Sequence, residues 1–171
     1  RVHYKRFDAN YAAWGLHLWN GSGLDTAALP AGVTIDRWNQ PVPFSAMPGH
    51  AVGSDEVVFD LPVLNPRDDA SRKGLEFIIH GMPPNENDKD GRDNNLRVEF
   101  GALTVQNRVG QIWLVEGDAT VHTAPPDLRR LHAELDPALA AAIARALHPD
   151  PEQRFPDAAT MADALRSGTA G

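Results

Sequence analysis

The segment Trp14–Trp19 (WGLHLW) places two aromatic rings where they could stack on a flat ligand. Because successive side chains of a β-strand point to opposite faces, Leu16 and Leu18 would face the core, and His17 and Trp19 would share the other face. At about 3.3 Å per residue, these two rings lie about 7 Å apart, which suits the apolar face of a sugar ring. The alternative is that both rings pack under a loop or between sheets, because Trp is highly buried on average.

A second cluster of polar side chains lies in the loop Met82–Asn95, which follows a strand that ends at His80. Its carboxylates can accept, and Lys89 can donate, hydrogen bonds with neighbouring sugar hydroxyls. A solvated loop, a calcium site and an acid/base pair are the alternatives. An EF-hand loop needs Glu at its twelfth position, and counting from Asn85 that position is Leu96. Catalytic carboxylate pairs usually come from separate elements, whereas these share one loop.

The composition argues against several classes of partner. The chain has 171 residues, a net charge of −7 and no cysteine. The negative charge argues against nucleic acid and anionic membranes, and no apolar run approaches the length of a membrane span. The absence of cysteine excludes disulfides and thiolate chemistry, and no signal-peptide pattern is present. We expect a monomer that needs no cofactor and no metal.

The first 123 residues have the pattern of a β-sandwich, with many short candidate strands separated by turn residues. The long loop from Asn20 to Asp55 could hide a further strand at Val33–Trp38. The other candidate strands are Val2–Phe7, Gly15–Trp19, Glu56–Leu61, Leu75–His80, Leu96–Phe100, Leu103–Gln106, Gln111–Val115 and Thr120–His122.

The composition changes after residue 123, which predicts a linker over 124–135 and a helical hairpin over 136–171. Asp136 followed by Pro137 is a typical helix start. Leu139 and Ile143 begin one apolar stripe of the first helix. A hairpin with one narrow stripe per helix buries little core by itself.

Four motifs, in this order, resemble the pullulanase-associated carbohydrate-binding module, family 41. This resemblance implies an immunoglobulin-like β-sandwich that binds α-glucans without catalysis: pullulan, amylopectin, glycogen and their oligosaccharides. Such modules lie N-terminal to secreted or surface-bound pullulanases, which implies an extracellular or cell-surface location. The motifs are RVHYKRFDANYAAWGLHLW from Arg1, FIIHG at 77–81, KDGRD at 89–93 and QIWLVEGDATVHT at 111–123.

The resemblance also implies roles for individual residues. Trp19 matches the second of two stacking Trp residues of the family, and His17 stands in place of the first. Lys89 and Asp93 match the family's sugar-contacting Lys and Asp. Trp14 matches a Trp that strand alternation places in the core.

Two further Trp residues lie outside the WGLHLW segment. Trp113, in the QIWLVEG motif, is expected in the sheet interior. Trp38 lies in the long loop, which departs from the family in length and content. It could contact a ligand at the rim of the site or serve in packing.

The tail, Leu135–Leu165, resembles the last helices of a bacterial Ser/Thr protein kinase domain, in which the Arg matching Arg154 pairs with a Glu of the activation segment. The chain has no glycine-rich phosphate loop, no HRD and no DFG, so we expect no kinase activity from it. An alternative function is a glycogen-sensing module of a signalling protein fused to a kinase remnant. An enzyme is disfavoured because the β domain shows no nucleophile–base pair and no metal-ligand spacing, so we predict no catalytic residues.

Overall fold

The computed structural model describes residues 1–53, 56–64, 73–91, 95–126, 129, 134–148 and 150–168. The chain divides into two compact units, Arg1–Thr123 and Ala124–Gly171.

Within its described residues, the first unit contains ten strands arranged in two four-stranded sheets and one hairpin. The first sheet has the order β10-β1-β5-β4, the second has the order β3-β2-β6-β7, and β8 pairs with β9. β1 and β10 run parallel, and the remaining pairs run antiparallel. The strands are β1 Val2–Lys5, β2 Trp14–His17, β3 Val42–Pro43, β4 Ala51–Val52, β5 Val57–Phe59, β6 Gly74–Gly81, β7 Leu96–Glu99, β8 Val105–Gln106, β9 Val109–Gly110 and β10 Ile112–Val115.

The hydrophobic core lies between the two sheets, as the sandwich prediction requires. Tyr4 and Phe59 of the first sheet and Leu16 and Phe77 of the second are buried in one continuous cluster. The predicted fold, a mainly β protein built as a β-sandwich, is therefore confirmed.

Strand alternation explains which side chains enter this core. Along β7, Leu96 and Val98 are buried, whereas Arg97 and Glu99 are exposed. Leu16 and Leu18 are likewise buried, as the spacing of the WGLHLW segment predicts.

The predicted strand at Val33–Trp38 is wrong, because this segment is irregular, with a bend at Asp36 and a turn at Trp38. Asp36 has a φ of 62°, in the left-handed region that interrupts extended backbone. The strands that the long loop does contain are β3, which pairs with β2, and β4, which pairs with β5.

The interior position predicted for Trp113 is also wrong. Ile112 and Leu114 fill the core, so the intervening Trp113 points to the opposite face of its sheet. There it is half-buried and stacks on His3 of the neighbouring strand, with 5.0 Å between ring centroids.

A buried polar network joins the two sheets. The Tyr4 hydroxyl on β1 donates a hydrogen bond to Asp90, which follows β6. Asp90 also accepts a 2.6 Å hydrogen bond from the backbone N–H of Gly117, after β10. Arg6 donates to the Tyr4 oxygen at 3.0 Å and pairs with Glu116 at 2.6 Å. Burial, followed by the neighbouring Asp90 charge, raises the pKa of Tyr4, so the phenol stays protonated as a donor.

The second unit contains the helices α1, Pro137–Ala146, and α2, Ala158–Gly168, which pack against each other. Asp136 caps α1 by accepting hydrogen bonds from the backbone N–H groups of Ala138 and Leu139, each at 2.9 Å. Among the described residues, no helix is long and apolar enough to cross a membrane.

Candidate functional site

Four aromatic rings cluster on the outer face of the second sheet. The centroid of the His17 ring lies 5.7 Å from that of the Trp19 ring, with an interplanar angle of 31°. It lies 5.1 Å from the centroid of the Trp38 ring, with an interplanar angle of 63°. The His80 ring lies 5.9 Å from His17. His17 therefore contacts the other three rings, and the surface they form is angled rather than flat.

Strand alternation and register place two of these rings. Leu16 points into the core, so its neighbour His17 points outward. On the adjacent strand β6, Phe77 and Ile79 enter the core, so His80 also points outward. The register pairs His80 with Gly15, where a Cβ would come within 3.1 Å of the Met82 sulfur, so the outer face beside His80 is closely packed.

Trp38 reaches the cluster from the long loop. The backbone N–H of Asp36 donates a 2.8 Å hydrogen bond to the carbonyl of Leu18, which ties the loop to the end of β2. Arg37 and Gln40 close a turn around Trp38 through a backbone hydrogen bond of 3.2 Å. This anchoring holds a loop residue over a rigid sheet, an arrangement typical of binding sites.

Trp38 covers one face of the outward-pointing His80 ring. The two rings stack with 4.3 Å between centroids and an interplanar angle of 12°, so the indole covers the imidazole. His80 is fully buried, whereas Trp38 remains half-buried.

Lys89 joins the cluster through the polar loop, which folds back onto β6. Lys89 forms a β-bridge with His80, and its Nζ lies 5.4 Å from the centroid of the Trp38 ring. The backbone N–H of Gly81 donates to the carbonyl of Asp88 at 2.8 Å. A Cβ at Gly81 would lie 2.3 Å from the Asn85 carbonyl oxygen, so only glycine permits this close return.

Both imidazoles of the site favour the neutral form. Burial lowers the pKa of His17, and the backbone of Arg37 and the charge of Asp36 oppose this only in part. Burial also lowers the pKa of His80, and the nearby His17 adds to the shift, against the raising influence of the Gly81 and Glu86 backbones. Nε2 of His80 is enclosed without a hydrogen bond of good geometry among the described residues. Neutral rings present flat, weakly polar faces.

The structure places three of the four predicted site residues, His17, Trp19 and Lys89, on the same sheet face. Asp93 lies outside the described residues. Their role in binding stays a prediction. Of two further neighbours, His80 was not predicted, although alternation along β6 could have indicated it. Trp38 was left open between a ligand contact at the rim and a packing role, because no local pattern decides between the two.

The polar loop also has a structural role. Asp90 accepts hydrogen bonds from Tyr4 and from two backbone N–H groups, so this carboxylate is engaged in holding the loop to the first sheet. Within the described ranges, no three His, Asp or Glu side chains come together closely enough to hold a metal ion.

The fold and this surface define a class of protein, a β-sandwich module with aromatic rings on an open sheet face. Residues 1–123 match the model of the bacterial pullanase-associated domain, and the chain belongs to that family. Among curated proteins, none shows significant sequence similarity to the chain.

The solved structures that are similar to the chain include the following two. One, described as "Alpha-glucan binding by a streptococcal virulence factor", is 18% identical with a TM-score of 0.44, and the match covers 71% of this chain and 45% of that one. The other is a product complex of SpuA, a multi-modular glycogen-degrading pneumococcal virulence factor. It is 19% identical with a TM-score of 0.46, over 71% of this chain and 10% of that one. The chain thus matches less than half the length of either structure.

Proposed function

We propose that this chain is a non-catalytic carbohydrate-binding module of family 41, which binds α-glucans: pullulan, amylopectin, glycogen and malto-oligosaccharides. The observation that carries the proposal is the half-buried ring cluster of His17, Trp19 and Trp38 on an outer sheet face of a pullulanase-associated domain. Its parent protein would be a pullulanase-type enzyme, outside the cell or on its surface.

The binding mechanism is adsorption on a prearranged surface. The faces of His17 and Trp19 would cover the apolar faces of glucose units, which removes apolar area from water. Lys89, held beside the rings by its bridge with His80, would donate to sugar hydroxyls, and Asp93 would accept from them. Because the sheet and the anchored loop already hold the rings, little ordering cost opposes binding.

A binding role also agrees with the hydrogen bonds that the Asp90 carboxylate makes. A general acid needs a carboxyl whose proton can reach the substrate. Asp90, the buried carboxylate beside Lys89, instead accepts hydrogen bonds from Tyr4 and Gly117 in the interior.

Affinity electrophoresis tests this function. In native gels that contain amylopectin or pullulan, the protein should migrate more slowly than in a plain gel, whereas soluble hydroxyethylcellulose should not retard it. Trp19→Ala should migrate alike in all gels, and Trp113→Ala, altered on the other sheet, should behave as the wild type. Equal wild-type migration in every gel would contradict the proposal.

A further inference from the structure

Trp38 contacts three side chains of the site. Its indole stacks on His80, meets His17 at a steep angle and lies 5.4 Å from the Lys89 ammonium. Despite these contacts it is only half-buried, so part of the residue remains accessible to a ligand.

The ring planes of the site are inclined to one another. Trp19 and Trp38 both contact His17, at interplanar angles of 31° and 63°. His17 therefore lies between two indoles that are inclined to it by different amounts. Such a surface follows a ligand whose successive flat faces rotate, as they do along a coiled α-linked glucan, and fits a straight β-linked chain poorly.

The loop that carries Trp38 is anchored to the strand beside the site. The hydrogen bond from Asp36 to Leu18 ties it to the same strand that presents His17, and His80 supports the indole from one face. A ring supported in this way contributes contact area without an ordering cost on binding.

We infer that Trp38 is a third glucan-contacting ring, which extends the pair His17 and Trp19 into an angled surface selective for chains of several glucose units. This inference rests on the proposed function and adds a residue and a chain-length preference to it. A single glucose or maltose covers only part of the surface, whereas maltotetraose reaches all three rings.

Isothermal titration with maltose and maltotetraose tests the inference on the full chain. Trp38→Ala and Trp38→Leu should weaken maltotetraose binding by about tenfold, equivalent to about 1.4 kcal/mol, and maltose binding by less. Trp38→Phe should restore most of the affinity because it restores a ring. Trp113→Ala is the matched control and should bind as the wild type.

The Leu variant separates a stacking role from a packing role, because it keeps apolar bulk but removes the flat ring. If Trp38→Leu binds maltotetraose as tightly as the wild type, or if maltose and maltotetraose lose affinity equally, the inference is overturned. A wild-type chain that binds no α-glucan would instead overturn the proposed function.

A second measurement needs no destabilising variant. In NMR spectra of the wild type, maltotetraose should shift the indole N–H signals of Trp19 and Trp38 and leave those of Trp14 and Trp113 in place. Trp→Phe variants assign the four signals. A Trp38 signal unmoved at saturating maltotetraose would overturn the inference.

Discussion

At the residue scale, the site depends on rings that differ in size and in support. His17 offers less stacking area than an indole, but it is flanked by Trp19 and by Trp38. The indole of Trp38 in turn is supported by His80. The affinity of the site should therefore reside more in the two indoles than in the imidazole between them.

Exchanges of Trp19 and Trp14 should separate binding from stability. Trp19→Ala should abolish most α-glucan binding with little change in the melting temperature, because this side chain lies on the outer face. Trp14 packs against the core and carries the Arg6 guanidinium 4.2 Å from its ring. As it is half-buried, Trp14→Ala should cost about 2–3 kcal/mol of unfolding free energy, somewhat below the value for a fully buried Trp. Thermal melts and gel retardation of both variants test this prediction. A destabilised Trp19→Ala and a stable Trp14→Ala would show that the two faces are assigned wrongly.

The two site histidines predict an acid-dependent loss of stability. Burial lowers the pKa of both His17 and His80 from 6.5. Below about pH 6.5 the unfolded chain therefore binds more protons than the folded one, so the free energy of unfolding falls as the pH falls through this window. Carboxylates such as Asp118, whose pKa is lowered from 3.8, act only at more acidic pH.

Urea unfolding between pH 7.5 and pH 4.5 measures this dependence. His80→Gln removes one of the titrating rings and should flatten the slope, whereas His148→Gln, on the exposed surface of the second unit, should not. Identical slopes for the wild type and His80→Gln would refute a role of His80 in the acid response.

At the element scale, periodicity correctly predicted the two faces of the WGLHLW segment. Leu16 and Leu18 are buried because side chains alternate along a strand, and that rule is local. The partner of a strand is not local, so the sequence could not show that His80 faces Gly15. The position of Trp38 depends on the hydrogen bond between Asp36 and Leu18, a tertiary contact without a sequence pattern.

The loop after β6 should be sensitive at Asp90 and tolerant at Asp88. Asp90→Ala leaves the Tyr4 hydroxyl and the Gly117 N–H without their acceptor, which should cost about 2–3 kcal/mol of unfolding free energy. It should also weaken glucan binding, because Lys89 is the adjacent residue. The exposed Asp88 side chain is the control, since Asp88 holds the loop through its backbone N–H and carbonyl groups, which the substitution to Ala keeps. Equal stability of Asp90→Ala and Asp88→Ala in urea would contradict this role of Asp90.

At the scale of the whole molecule, the residues of the proposed glucan site all belong to the first compact unit. The family model ends at residue 123, where the first unit also ends. A chain that ends at Thr123 should therefore fold and bind α-glucan with the affinity of the full chain. A tenfold loss of affinity would mean that residues 124–171 contribute to the site, and failure to fold would mean that the helices complete the core.

The parallel pairing of β1 with β10 has a mechanical consequence. The register joins Val2 to Ile112 and Lys5 to Val115, so the two strands lie side by side over their full length. A tension applied between Val2 and Val115 pulls the strands past each other, and their interstrand hydrogen bonds bear the load together rather than one after another. We expect single-molecule stretching between these positions to give one high-force rupture, and a gradual low-force extension would contradict it. A module that binds a polymer would in this way resist unfolding when its own polypeptide chain is pulled.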